Sequence, residues 1–163
     1  MSPWRTLRGQ LALVRAGGDQ GSAIVEFVFV AILMMVPMVY LIVAVAVVQR
    51  AGVATVRAAR SAGRAAATSP TRDEAEGRAR AAVRLALANQ GFDASDAELK
   101  VVAAEDDCAA AATVPTMAPG STFAVCVSRC EQIPAIPGFL QSGGVLITGR
   151  YVVHVDDFRV LPQ

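Results

Sequence analysis

Three cysteines and one histidine are the side chains of this 163-residue chain best suited to redox, metal or nucleophilic chemistry. They are Cys108, Cys126, Cys130 and His154. Three thiolates and one imidazole can hold zinc, but Cys126-x3-Cys130 lacks the tight knuckle spacing. Neither Cys108 nor His154 has a close ligand neighbour, and a lone histidine on an apolar strand is usually structural. The pattern therefore favours neither a metal site nor a Cys–His catalytic pair.

Acidic and glycine-containing motifs also give no sign of an enzyme. The run Glu105–Asp107 has neither the alternate spacing nor the turn glycine of a calcium loop. The chain contains no glycine-rich phosphate loop and no serine nucleophile elbow. We therefore expect no catalytic residue, no metal and no cofactor.

Disulfide formation is the chemistry that the cysteines favour if their part of the chain is exported. We expect Cys108 to pair with Cys130 or Cys126, with a slight preference for Cys130 because it lies at the edge of its predicted strand. Closing a loop of this length contributes about 3 kcal/mol to stability. One thiol is left over, either buried or paired with a partner.

The longest apolar segment carries no charge over the 22 residues from Phe27 to Val48. At about 1.5 Å per residue a helix of this length reaches roughly 33 Å, enough to cross a bilayer core of about 30 Å. Pro37 lies inside the run, and we expect it to kink the helix rather than end it. The sequence therefore predicts one membrane-spanning helix.

Glu26 is a carboxylate at the start of this apolar run. A charge in such a stretch is costly, although less so near the membrane interface. Spacing alone leaves two explanations open. Glu26 is either an interfacial residue solvated by headgroups, or it requires a cationic partner when its helix packs against other helices.

The segment around Glu26 resembles the processing site of type IV prepilins, and more closely that of TadE-like proteins of the Tad/Flp pilus system. Gly21-Ser22-Ala23-Ile24-Val25-Glu26-Phe27 has the glycine before the cut and a glutamate at position five of the mature chain. The Ala- and Arg-rich segment Ala58–Ala66 follows the span at the distance typical of TadE-like proteins. The resemblance covers Gln20 to about Ala67, under a third of the chain.

This resemblance implies a minor pilin or pseudopilin of a Tad-type pilus or a related bacterial secretion machine. A membrane aspartyl peptidase would cut between Gly21 and Ser22, and the new amine would neutralise Glu26 within or between subunits. Glu26 and Phe27 would then set the register of helix packing.

The resemblance also implies the partners and the topology of the chain. The partners would be inner-membrane lipid, the prepilin peptidase, other Tad pilins or pseudopilins, and membrane platform proteins. The chain would cross the cytoplasmic membrane once, with the leader inside and the C-terminal domain outside. Arginine counts at the two ends of the span do not settle this orientation.

Two alternatives to a pilin remain open. One is a signal-anchored envelope protein that is never processed. The other is a secreted soluble protein cut after Ala44-Val45-Ala46, a small-x-small site that lies inside the apolar run.

The predicted fold is α+β and membrane-anchored, in three parts. Residues 1–21 form a prepilin-like leader, residues 22–68 form the TadE-like transmembrane helix and its extension, and residues 69–163 form an exported helix and a small β domain. Four arginines of the extension fall within roughly 80° of helical arc and form a basic stripe. They are Arg50, Arg57, Arg60 and Arg64. The stripe is either a solvated face or a contact for lipid phosphates or an acidic partner.

Local signals define the elements of the exported part. Thr71–Glu74 predicts a capping box that opens a second helix, which runs to about Asn89 with Gly91 as its C-cap and forms a hairpin with the first. An antiparallel sheet of three or four strands should follow. The candidate strands are residues 99–103, 121–128, 145–148 and 150–156, with a loop containing Pro134, Pro137, Gly138, Gly143 and Gly144 between the second and the third.

Composition excludes two classes of protein. A net charge of +1 and a hydrophobic fraction of 54% do not fit a strongly basic nucleic-acid binder or a disordered polar chain. The near-neutral total is an average, because residues 50–64 carry four arginines and no acid. Residues 85–131 carry seven acids and two bases, a net of −5. Two interpretations of this charge asymmetry remain open. It either keeps the chain soluble, or it attracts subunits to one another head to tail.

Overall fold

A computed structural model of the protein describes residues 19–134 and 143–159. Two helices precede a three-stranded antiparallel sheet: α1 (Asp19–Ala67), α2 (Arg72–Ala88), β1 (Ala97–Ala103), β2 (Thr122–Glu131) and β3 (Val145–His154). The predicted α+β fold class and its order of elements are confirmed. Most of the predicted leader, and Pro137 and Gly138 of the predicted loop, lie outside the described residues.

Two compact units divide the chain, one ending at Val43 and one beginning at Ala44. In the first unit, the large aliphatic, phenylalanine and methionine side chains from Ile24 to Val43 are each at least 44% exposed. An 18-residue stretch of this helix has a mean hydropathy of 2.8. The helix continues through Pro37 without ending there. Its length and composition suit a membrane anchor or a signal sequence.

The second unit begins with the last part of α1, and α2 folds back beside it. The turn between the helices occupies residues 68–71, and Thr71 Oγ1 accepts a hydrogen bond from the Glu74 amide at 3.3 Å. The Glu74 carboxylate accepts from Arg78 Nη2 at 2.6 Å, so an i,i+4 ion pair replaces the expected bond from Glu74 back to the cap. At the far end of the hairpin, Arg50 Nη2 donates to the Gln90 carbonyl at 2.7 Å.

Gly91 closes the end of α2, with φ of 76°. The Gly91 amide donates to the Ala88 carbonyl at 2.9 Å, and the Phe92 amide donates to the Leu87 carbonyl at 3.0 Å. These two bonds form a Schellman motif. The motif requires one residue in the left-handed conformation, which glycine adopts without a steric cost. The side chain of Phe92 packs on the same core as Leu87.

The sheet has the order β1-β2-β3, with β2 in the centre. The candidate strands 145–148 and 150–156 form the single strand β3, so the sheet has three strands, the lower of the two expected numbers. Gly149 pairs with Val127 of β2 inside the ladder. A Cβ at Gly149 would collide with the backbone of Thr55 and Val56 in α1. The glycine therefore marks a close approach of helix and strand rather than a turn.

The core lies between the two helices and one face of the sheet. The face of α1 that enters this core consists of small side chains, each at most 6% exposed: Ala51, Ala54, Thr55, Ala58, Ala59, Ala62 and Ala66. A Cβ at Gly63 would lie 2.5 Å from Val153 Cγ2, so a second glycine also permits the contact with β3. The alanine-rich extension is thus the helical half of the core.

We predict that Gly149→Ala lowers the free energy of unfolding by about 1–3 kcal/mol, because the added methyl group forces α1 away from β3. Gly77→Ala on α2 is the matched control, because a Cβ there meets nothing within 4 Å. Helix propensity makes the control neutral or stabilising by up to about 1 kcal/mol. Urea unfolding of the detergent-solubilised chain, followed by circular dichroism, compares the two. Equal stability would contradict the close approach.

Candidate functional site

The predicted cleavage bond and Glu26 lie on the same helix. Gly21 and Ser22 belong to α1, whose backbone is helical from Asp19. Ser22 precedes Glu26 by four residues, which places the two positions on one helical face about 6 Å apart along the axis. An amine at Ser22 would therefore be one turn from the Glu26 carboxylate.

Glu26 is exposed, and no described side chain forms a hydrogen bond or ion pair with it. The next basic residue toward the C-terminus of α1 is Arg50, which is 24 residues and roughly 36 Å of helix away. The neighbouring Phe27 is 72% exposed. A cation for Glu26 must therefore come from the amino end of the chain or from another molecule.

The predicted basic stripe divides into two parts. Arg50 donates to the Gln90 carbonyl and lies 5.0 Å from the centre of the Phe92 ring, so it ties α1 to the end of α2. Arg57, Arg60 and Arg64 are exposed, and none of them forms an ion pair within the described residues. The guanidinium of Arg60 lies 5.9 Å from the ring of Tyr151.

Arg129 is a buried cation that the sequence analysis did not single out. It is 8% exposed, and its guanidinium lies 4.4 Å from the centre of the Phe92 ring, which Arg50 also contacts. Arg129 Nη2 lies 3.0 Å from Glu131 Oε2, an ion pair by distance without the alignment of a hydrogen bond. The alternation of Phe123, Val125 and Val127 extends to position 129. This pattern could have indicated from the sequence that Arg129 is buried.

The disulfide joins Cys108 to Cys126, with their Cα atoms 5.8 Å apart, and Cys130 is free and exposed. The slight preference for Cys130 was wrong. Cys126 lies on the outer face of the sheet, which we define as the face away from the helices. Lys100 of β1 and Arg150 of β3 are its direct cross-strand neighbours.

This cross-strand row holds the loop that carries Cys108. Lys100 Nζ donates to the Cys108 carbonyl at 3.0 Å. Arg150 donates to the Asp106 carbonyl at 3.1 Å and to the Ala104 carbonyl at 2.5 Å. The loop is therefore anchored over Cys126, whereas Cys130 lies four residues, or about 13 Å, farther along β2.

Three consecutive acids, Glu105, Asp106 and Asp107, form what we call the acidic loop on this outer face. Asp107 Oδ1 accepts hydrogen bonds from the amides of Ala109 and Ala110, which fixes the backbone after the acids. Lys100 and Arg150 bind carbonyls of the loop, and no ion pair to its three carboxylates occurs within the described residues. The loop therefore presents negative charge to the surroundings.

Asp93 adds further negative charge to the surface after α2. The Ser95 amide donates to Asp93 Oδ1 at 3.0 Å, and this hydrogen bond lowers the pKa of Asp93. A hydrogen bond to the charged form favours ionisation. The Asp93 carboxylate is therefore ionised at neutral pH.

The side chains suited to catalysis or metal binding are not gathered at one site. Cys108 and Cys126 are consumed by the disulfide, and His154 Nε2 lies 3.4 Å from Asp157 Oδ2 in an exposed contact. The described residues contain no group of three or more His, Cys, Asp or Glu side chains placed to hold a metal ion. A groove of about 270 Å³ between α2 and β1 has an apolar floor and a charged rim, with no cysteine or histidine in its lining.

Comparisons of the chain with protein-family models, curated proteins and solved structures found no match. The resemblance to TadE-like proteins therefore rests on the sequence pattern from Gln20 to about Ala67 alone.

We predict that iodoacetamide labels only Cys130 in the non-reduced chain and all three cysteines after reduction. The disulfide closes a separation of 18 residues, so reduction should lower the free energy of unfolding by about 3 kcal/mol. Peptide mass spectrometry locates the labels, and Cys130→Ser is the control that should remain unlabelled before reduction. Labelling of Cys126 in the non-reduced chain would contradict the assigned pair.

Proposed function

We propose that this chain is a TadE-like minor pilin or pseudopilin that takes part in assembling a Tad-type pilus or a related secretion machine. The observation that carries the proposal is Glu26, an exposed carboxylate one helical turn after Ser22 that directly precedes the uncharged run Phe27–Val48. A plain membrane anchor has no need of a charge at this point. A helix that packs against other helices can use such a charge to fix its register.

The physics of Glu26 in a membrane supports this role. A carboxylate near the hydrocarbon region is penalised unless a cation lies close to it. Two unit charges about 4 Å apart attract by roughly 4 kcal/mol at an effective dielectric constant of about 20. Cleavage after Gly21 would create such a cation at Ser22, and the amine could serve Glu26 of the same chain or of a neighbour.

The remaining parts of the chain fit a protein that is anchored inside and displayed outside. The apolar part of α1 is exposed on all sides, as a helix facing lipid and other apolar helices would be. The Cys108–Cys126 disulfide favours an oxidising compartment for the second unit. We therefore place the leader inside, one span in the bacterial inner membrane, and the C-terminal unit outside.

The proposed contribution is structural and not enzymatic. The partners are inner-membrane lipid, a prepilin peptidase that cuts once, other Tad pilins or pseudopilins, and membrane platform proteins. Helix packing with Glu26 as the register charge would hold the chain in the assembly. The second unit would offer surfaces for further contacts.

We predict that Gly21→Leu blocks removal of the leader, because a bulky side chain at the residue before the cut cannot enter a site shaped for glycine. Immunoblots of cells that contain the peptidase would then show only the longer form. Gly52→Leu is the control on the same helix, because a Cβ there meets nothing within 4 Å. It should be cut normally. A shortened Gly21→Leu chain would count against the proposed cleavage.

We predict that Glu26→Gln leaves cleavage largely intact but reduces the amount of the chain that enters the assembly by about tenfold or more. The amide keeps the shape of the side chain and removes the charge that would pair with the amine. Glu98→Gln, which removes an exposed carboxylate from β1, is the matched control. Quantification of the chain in isolated assemblies measures both, and normal incorporation of Glu26→Gln would refute the ion-pair account.

A further inference from the structure

The exposed side of α1 in the second unit carries a stripe of five side chains that we call the basic ridge. Its members are Val53, Val56, Arg57, Arg60 and Arg64. At about 100° per residue they fall within roughly 100° of arc, on the side opposite the buried alanines. Val53 and Val56 are 49% and 48% exposed. Val53, Val56, Arg57 and Arg64 therefore lie on the exposed side of α1, while the guanidinium of Arg60 reaches the ring of Tyr151 at 5.9 Å.

The acidic loop lies on the opposite side of the same unit. Helix α1 packs on the inner face of the sheet, where Gly149 of β3 lies against Thr55 and Gly63 of α1 lies against Val153. The acidic loop crosses the outer face, held by the disulfide and by the contacts of Lys100 and Arg150. The order through the unit is therefore ridge, helix, sheet and acidic loop.

This arrangement prevents the two charged surfaces from neutralising each other within one chain. The ridge carries three arginines and the loop three acids, and the helix alone is about 10 Å across. That thickness already exceeds the screening length of about 8 Å at physiological ionic strength. Each surface is therefore left available to a charged partner on another molecule.

Lipid phosphates are a poor match for the ridge. Arg57 and Arg64 follow Val48 by 9 and 16 residues, which is roughly 14 and 24 Å along the helix axis. The headgroup layer on one side of a bilayer is only about 5–8 Å deep. Two ridges facing each other would place arginine against arginine. The acidic loop of another copy supplies three carboxylates with no such repulsion, and the backbone of that loop is held by Lys100 and Arg150.

We infer that copies of this chain associate head to tail, with the basic ridge of one copy against the acidic loop of the next. Because the two surfaces are different, the contact is heterologous and leaves a free ridge at one end and a free loop at the other. Repetition of this contact produces an open row of copies. The inference rests on the proposed function in one respect, which is that the copies lie in the same membrane. It does not require cleavage of the leader.

Charge reversal in the full-length chain tests this contact. Arg57→Glu with Arg64→Glu reverses the ridge, and Glu105→Lys with Asp106→Lys reverses the loop. Neither pair includes Asp107, whose carboxylate binds backbone amides. The matched control is Arg72→Glu with Arg84→Glu, which changes the same charge on exposed positions of α2.

Sedimentation equilibrium of the chain in neutral detergent measures self-association. Each reversal alone should weaken it by tenfold or more at 50 mM salt, while the control pair should change it less than twofold. A chain with both reversals should recover most of the association, and so should an equimolar mixture of the two reversed chains. The wild-type chain should associate several-fold less at 0.5 M salt.

Three results would overturn the inference. The first is that a charge reversal weakens self-association no more than the control pair does. The second is that the doubly reversed chain fails to recover self-association although circular dichroism shows that it is folded. The third is loss of binding to phosphatidylglycerol vesicles on ridge reversal with self-association unchanged, which would assign the ridge to lipid. Cleavage of the leader does not enter these measurements, so failure of the proposed pilin role at Gly21 is distinguished from failure of this contact.

Discussion

The close approach of α1 to β3 is the contact on which the rest of the second unit depends. Alanine and glycine along one side of α1 let its backbone lie directly over Gly149. Larger side chains at these positions would hold the layers apart, because cores tolerate added methylene groups poorly. The same packing fixes the rotation of α1, since a helix that buries its alanines must turn its arginines outward.

One continuous helix therefore meets two requirements. Up to about residue 47 it is apolar on every side, as a membrane span requires, and beyond that it is apolar only where it faces the sheet. Glu26 is the charged exception to this apolar surface. Its carboxylate has no cation beside it among the described residues. The proposed role in assembly follows from this unpaired charge, together with the disulfide in the second unit.

Local signals in the sequence predicted most of the fold, because they act between residues close in the chain. The cap at Thr71, the left-handed Gly91 and the alternation in β2 gave the second helix and the central strand. The errors concern residues that meet across the fold. The candidate strands on either side of Gly149 were counted separately because the helix that passes over this glycine lies almost a hundred residues earlier in the chain. The slight preference for Cys130 over Cys126 was wrong because the row of Lys100, Cys126 and Arg150 exists only once the strands pair.

The N-terminal residue of the mature protein tests the central claim most directly. Edman sequencing or intact-mass analysis would be applied to the chain purified from inner membranes and from filaments sheared from the cell surface. The account predicts a single start at Ser22 in both fractions, with the Cys108–Cys126 disulfide intact. An intact Met1 in a stably folded chain, or a start at Val47 in a soluble protein, would contradict it.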